Sequence, residues 1–143
     1  MKLILPVIIT CLGFVAHLHA EDALGGPTKN VEGWTLHISE KLMAEQKQAV
    51  DAAMPFLQKQ LAEIVRVVPA PAVAKMREVP IFFTLPPKGG GGTAEYHPEA
   101  EWLRENGRDT AMAKGVQVSD VASFEKETNR MPNFMLHELA HGY

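Results

Sequence analysis

The residues with the clearest chemical potential form the run HELAH near the C-terminal end of the 143-residue chain. His137 and His141 are four residues apart, and Glu138 directly follows the first of them. On an α-helix four residues turn by about 400°, so the two imidazoles lie on one face, one turn apart. Both can therefore bind one zinc ion. Glu138 then stands beside the metal, where a carboxylate can take a proton from an attacking water.

An alternative interpretation is a core helix whose two histidines are satisfied by ordinary hydrogen bonds. The surrounding run FMLHELAH supplies enough apolar residues to bury such a helix. Burying two histidines and a glutamate without partners would cost free energy, so the pattern favours a metal site.

The HELAH run resembles the metal-binding helix of the zincin metallopeptidases, which it matches over five residues. The resemblance implies that His137 and His141 are Zn²⁺ ligands and that Glu138 is the catalytic base. It also implies a zincin-like α+β fold, with a mixed sheet, a long N-terminal helix, an active-site helix and a strand at the edge of the cleft. The order of the predicted elements extends the likeness loosely over residues 31–143.

The function implied by this resemblance is that of a secreted zinc-dependent metallopeptidase. Such an enzyme hydrolyses peptide bonds in a peptide or protein substrate through a zinc-activated water. Two alternatives stay open, namely a zinc hydrolase that acts on a non-peptide amide and a non-catalytic secreted binding module.

Zincins take a third protein ligand downstream of the motif, whereas only Gly142 and Tyr143 follow it here. We therefore expect residues 21–143 to be the N-terminal part of a catalytic domain that is incomplete at its C-terminus. The third ligand is expected beyond residue 143, so the fragment itself should bind zinc weakly and be inactive. Upstream residues with suitable chemistry exist, but their spacing selects none of them: His37, Glu95, His97, Glu99 and Asp120.

Residues 1–20 have the layout of a secretory signal peptide, with Lys2, an apolar stretch over 3–15 and a small residue at Ala20. This predicts a secreted or periplasmic protein without stable membrane insertion after cleavage. The alternative is an uncleaved N-terminal anchor. Cleavage would remove the only cysteine, Cys11, and leave a chain without disulfides.

The charge of the chain does not favour nucleic-acid binding. Loss of Lys2 on cleavage reduces Lys and Arg from 14 to 13 against 17 Asp and Glu, so the net charge falls from -3 to -4. A basic footprint is absent from this composition, and we expect no nucleic-acid partner.

Upstream of the motif, the patterns predict a flexible lead-in over 21–30, a strand over 34–38 and an amphipathic helix from the cap Ser39 to about Val67. Pro55 should kink or split that helix. Its apolar face indicates core packing, although membrane binding is an alternative.

Further strands are predicted over 81–85 and 116–124, and the second of these is the expected cleft-edge strand, where a substrate backbone would pair. The run PPKGGGG (86–92) predicts a loop, either a lid beside a cleft or a surface insertion. Trp102 is expected to anchor its segment to the core. The last helix should begin near residues 129–131, with Pro132 in its first turn.

Overall fold

The computed structural model describes residues 24–143 and has an α+β fold built on a five-stranded mixed sheet. The strand order is β1-β2-β3-β5-β4, in which β2, β3 and β5 are parallel and the two edge strands, β1 and β4, are antiparallel to their neighbours. The strands are β1 (Thr28–Val31), β2 (Trp34–Ile38), β3 (Ile81–Phe83), β4 (Ala94–His97) and β5 (Gly115–Val118). The predictions for residues 1–20 and Cys11 concern a segment outside the described residues.

Within residues 24–143, five α-helices accompany the sheet. They are α1 (Glu40–Val67), α2 (Ala70–Met76), α3 (Ala100–Glu105), α4 (Phe124–Arg130) and α5 (Phe134–His141), with short 3-10 helices at Thr110–Met112 and Val121–Ser123. The predicted α+β class and the long helix are therefore confirmed.

The main core lies between one face of the sheet and helices α1, α4 and α5. Trp34, Leu36 and Ile38 are all buried on that face, which confirms the alternation predicted for β2. The apolar stripe of α1 and the apolar residues of α5 pack against the same face, so the core interpretation of α1 is confirmed. Among residues 24–143, no helix has the combination of length and apolar character that crossing a bilayer requires.

The expected kink at Pro55 is wrong. Helix α1 keeps helical dihedral angles through Pro55, and its one non-helical residue is Gln46, with φ -137° and ψ 36°. Both Pro55 and Asp51, whose carbonyl loses its helical donor, lie on the exposed side of α1. Water can bond that carbonyl there, so the missing N–H need not bend the helix.

The prediction for residues 116–124 is correct only in its first part and wrong about the edge. Strand β5 ends at Val118, the chain then forms a 3-10 helix, and Phe124 begins α4. All four residues of β5 are buried, because it lies between β3 and β4, whereas three of the four residues of β4 are half-exposed. The edge strand beside α5 is therefore β4, in a segment for which we predicted no strand.

Three smaller predictions also need correction. Part of the lead-in is ordered, since β1 begins at Thr28. The strand predicted over 81–85 ends at Phe83. Trp102 is 39% exposed, and its neighbour Leu103 is the residue that anchors α3 to a second, smaller core cluster. Residues 86–92 contain no helix or strand, as predicted.

Candidate metal centre

Helix α5, which carries the HELAH run, begins later than the sequence indicated. Residues 124–130 form a separate helix, Pro132 lies in the turn between the two, and α5 begins at Phe134. The N-cap is Asn133, whose Oδ1 accepts a hydrogen bond of 3.0 Å from the N–H of Leu136. An asparagine cap satisfies one of the free N–H groups of the first turn, which explains why the helix starts after Pro132 rather than at it.

Gln60 of α1 fixes the same helix end from the core side. Its Oε1 accepts a hydrogen bond of 3.1 Å from the N–H of Met135, and its Nε2 donates one of 2.9 Å to Oγ1 of Thr128 in α4. Its backbone carbonyl accepts a further bond of 3.0 Å from Nδ2 of Asn133. Although it is polar, Gln60 is only 3% exposed. This one side chain therefore ties α1, α4 and α5 together.

We predict that Gln60→Leu destabilises the protein by about 1–3 kcal/mol. Leucine has about the side-chain volume of glutamine, but it leaves the buried N–H of Met135 without its acceptor. Thermal unfolding followed by circular dichroism measures the change. Gln58→Leu on the exposed side of α1 is the matched control and should change stability by less than about 0.5 kcal/mol. Equal unfolding temperatures for the two variants would contradict the role assigned to Gln60.

The two histidines of the motif converge at the end of α5. Their Nε2 atoms are 3.4 Å apart, and their rings meet edge to face with centroids 4.9 Å apart. Two nitrogen ligands of a tetrahedral zinc ion, each about 2.0–2.1 Å from the metal, lie about 3.3 Å apart. The separation of the two Nε2 atoms therefore matches that of two ligands on one zinc ion. Both side chains are exposed, which leaves room for further ligands.

Glu138, next to His137 in the chain, is bonded to the sheet. Its Oε2 accepts a hydrogen bond of 3.1 Å from the backbone N–H of Tyr96, on edge strand β4. The carboxylate is half-buried, and this desolvation raises its pKa above the ordinary value. The Tyr96 N–H and the two nearby histidines act in the opposite direction, and the negative charge of Glu95 adds to the rise. Burial is therefore the largest influence on the pKa of this carboxylate.

Two clefts adjoin Glu138. The first, which we call the loop cleft, has a volume of about 410 Å³ and runs between the glycine-rich loop and helices α4 and α5. The second has a volume of about 450 Å³ and runs along β4 to His141. Gly91 and Gly92 line the loop cleft beside His137 and Glu138. The loop over residues 86–92 therefore lies beside a cleft, as the first of its two interpretations requires.

The upstream residues with metal-binding chemistry do not join the two histidines. His97 is buried on the opposite face of the sheet, where its Nε2 lies 2.8 Å from Oε1 of Gln117. Glu95 pairs with Arg108 at 2.6 Å, and His37 stacks on Phe82 of the smaller core cluster. Among residues 24–143, no three His, Cys, Asp or Glu side chains are close enough together to hold a metal ion. Of the candidate ligands named from the sequence, the described part of the chain brings together His137 and His141.

Sequence reasoning did not identify Tyr96 and Gln60, although both contact the motif helix. Tyr96 lies in a run, AEYH, whose alternation is too short to indicate a strand. Gln60 has only one signal, its spacing of three residues from Leu57 and four from Ile64 on the apolar stripe of α1.

Comparison of the chain with models of protein families, with curated proteins and with solved structures finds no match.

Proposed function

We propose that this chain carries the metal-binding and base-bearing part of a secreted zinc metallopeptidase with a zincin-like fold. The observation that supports the proposal most directly is the separation of 3.4 Å between the Nε2 atoms of His137 and His141. That separation matches the spacing of two ligands on one zinc ion. A third protein ligand is then required from outside residues 24–143, because the described residues supply none.

The division of labour among the residues follows from their positions. A bound zinc ion supplies Lewis acidity, which lowers the pKa of water and polarises a carbonyl group. His137 and His141 would hold the ion near the C-terminal end of α5. Glu138, adjacent to the first ligand and fixed by the N–H of Tyr96, accepts a proton from the attacking water and returns it to the leaving amine.

An extended peptide is the substrate that suits the surroundings of the site. The carbonyls of Thr93 and His97 accept hydrogen bonds from the β5 side. Because bonding groups alternate along an antiparallel strand, those of Ala94 and Tyr96 point to the open edge of the sheet, and the Tyr96–Glu138 bond agrees with this direction. Because the Tyr96 N–H is bonded to Glu138, a substrate backbone would pair with that edge through the groups of Ala94 and the carbonyl of Tyr96.

Zinc titration and peptide hydrolysis together test the proposal. For the 143-residue chain, two imidazole ligands at about 3 kcal/mol each predict a zinc Kd of roughly 10–100 µM. Where a third protein ligand completes the site, we expect tighter stoichiometric binding and zinc-dependent cleavage of peptide libraries, which a chelator abolishes. Absence of zinc binding would overturn the proposal. Zinc binding without hydrolysis of peptides or simple amides would instead indicate a binding module.

A further inference from the structure

Tyr96 contacts the motif helix at two residues, Glu138 and His141. Its backbone N–H donates to Glu138, and its ring stacks on the imidazole of His141, with centroids 6.4 Å apart and planes inclined by 19°. Residues 138 and 141 are three apart, so they lie on the same side of α5. Edge strand β4 therefore packs along the side of α5 that carries Glu138 and the proposed zinc ligand His141.

The end of α5 is shaped to admit this ring. A Cβ atom added to Gly142 would lie 2.9 Å from Cε2 of Tyr96 and 2.7 Å from Cγ2 of Val79, closer than Cβ contacts in proteins allow. The φ angle of Gly142 is -91°, an ordinary value for any residue, so close approach is the only constraint here. The missing side chain lets the aromatic ring lie across the last turn of the helix.

Among residues 24–143, the rings of Tyr96 and His137 are the aromatic neighbours of the His141 imidazole. The side chain is exposed and belongs to the last residue of α5, where helices fray. Besides Tyr96, the ring it meets is that of His137, the other proposed ligand. An imidazole that is already oriented binds a metal ion without a further loss of side-chain entropy, and groups around a metal site commonly supply this orientation.

We propose that Tyr96 is a positioning residue of the zinc site, whose ring holds the His141 imidazole in the orientation that shares a metal ion with His137. This inference rests on the proposed zinc site. It assigns no contact with the metal or the substrate to Tyr96, which acts through His141.

The test compares metal binding by four variants of the full-length protein, with Zn²⁺ titration for affinity and the visible absorption of bound Co²⁺ for ligand geometry. We expect Tyr96→Leu to raise the zinc Kd about tenfold and to alter the Co²⁺ spectrum. Tyr96→Phe keeps the ring and should restore both wild-type values. Gly142→Ala, which pushes the ring aside without removing it, should shift both readouts in the same direction as Tyr96→Leu.

Trp102→Leu is the matched control, because Trp102 also stacks on a histidine, His97, but on the other face of the sheet. It should keep the zinc Kd and the Co²⁺ spectrum of the wild type. Circular dichroism checks that each variant is folded. If Tyr96→Leu is unfolded, the result for Gly142→Ala tests the role of Tyr96. A wild-type zinc Kd and Co²⁺ spectrum in Tyr96→Leu and Gly142→Ala would overturn the role of Tyr96 and leave the proposed zinc site untouched. Failure of the wild-type protein to bind zinc would overturn the proposed function as well.

Discussion

Glu138→Gln should lower the rate of peptide hydrolysis by the full-length protein about 10²–10⁴-fold, the usual contribution of a general base. The amide has nearly the shape of the carboxylate but cannot accept a proton from the attacking water. The amide oxygen can still accept the hydrogen bond from the N–H of Tyr96, so the local structure should persist. The decrease should appear in kcat with little change in KM, because the lost interaction belongs to the transition state.

Zinc affinity separates this outcome from a general loss of the site. Glu138 is not placed as a ligand, so the variant should bind zinc as the wild type does. Glu63→Gln is the control, because Glu63 lies on α1 in an ion pair with Arg66, and it should keep full activity. A Glu138→Gln protein that cleaves peptides at nearly the wild-type rate would remove this residue from the mechanism.

His137→Ala and His141→Ala should each weaken zinc binding roughly a hundredfold and abolish hydrolysis. Zinc binding by structural sites with four ligands corresponds to about 10–16 kcal/mol, which is about 3 kcal/mol for each ligand. The two Nε2 atoms are 3.4 Å apart, so one ion should depend on both of them. Isothermal titration with Zn²⁺ measures each loss. Each single variant keeps one imidazole, which by itself is a poor zinc site. Removing the second imidazole should therefore not restore any of the lost affinity, and the double variant should bind zinc no more tightly than either single variant.

His37→Ala is the control for a nonspecific effect of histidine removal. His37 lies on β2 and stacks on Phe82, on the face of the sheet away from α5. Its replacement should leave the zinc Kd unchanged. If both motif variants kept the wild-type stoichiometry and affinity, the metal would have to bind elsewhere in the protein.

The patterns that succeeded in the sequence are local ones. The spacing of His137 and His141 placed both imidazoles on one face of a helix, where the structure brings their Nε2 atoms together. The alternation over residues 34–38 predicted β2, and the apolar stripe after Ser39 predicted α1 and its buried side. Each of these depends on the geometry of a single element, with a period of 2 or 3.6 residues, which the order of residues determines directly.

Capping and turn chemistry were already less certain, because they depend on a few residues with several solutions. Pro132 is compatible with the first turn of a helix and also with the turn before it. Helix α5 begins after Pro132 because Asn133 caps it and because the side chain of Gln60 bonds the same helix end from α1. Gln60 is 73 residues away from that cap, so no local pattern could connect them.

Only the tertiary structure decided which strand borders the motif. The strand predicted nearest before α5 in the chain, at residues 116–118, was expected to border the motif. In the structure these residues belong to β5, which lies between β3 and β4 and is buried on both faces. Strand order results from the packing of whole faces and from loop connections, and two short strands with similar composition can exchange places without a change in local propensity. For the same reason the contacts of Tyr96 with Glu138 and His141 arise only when β4, far from α5 in sequence, docks along it.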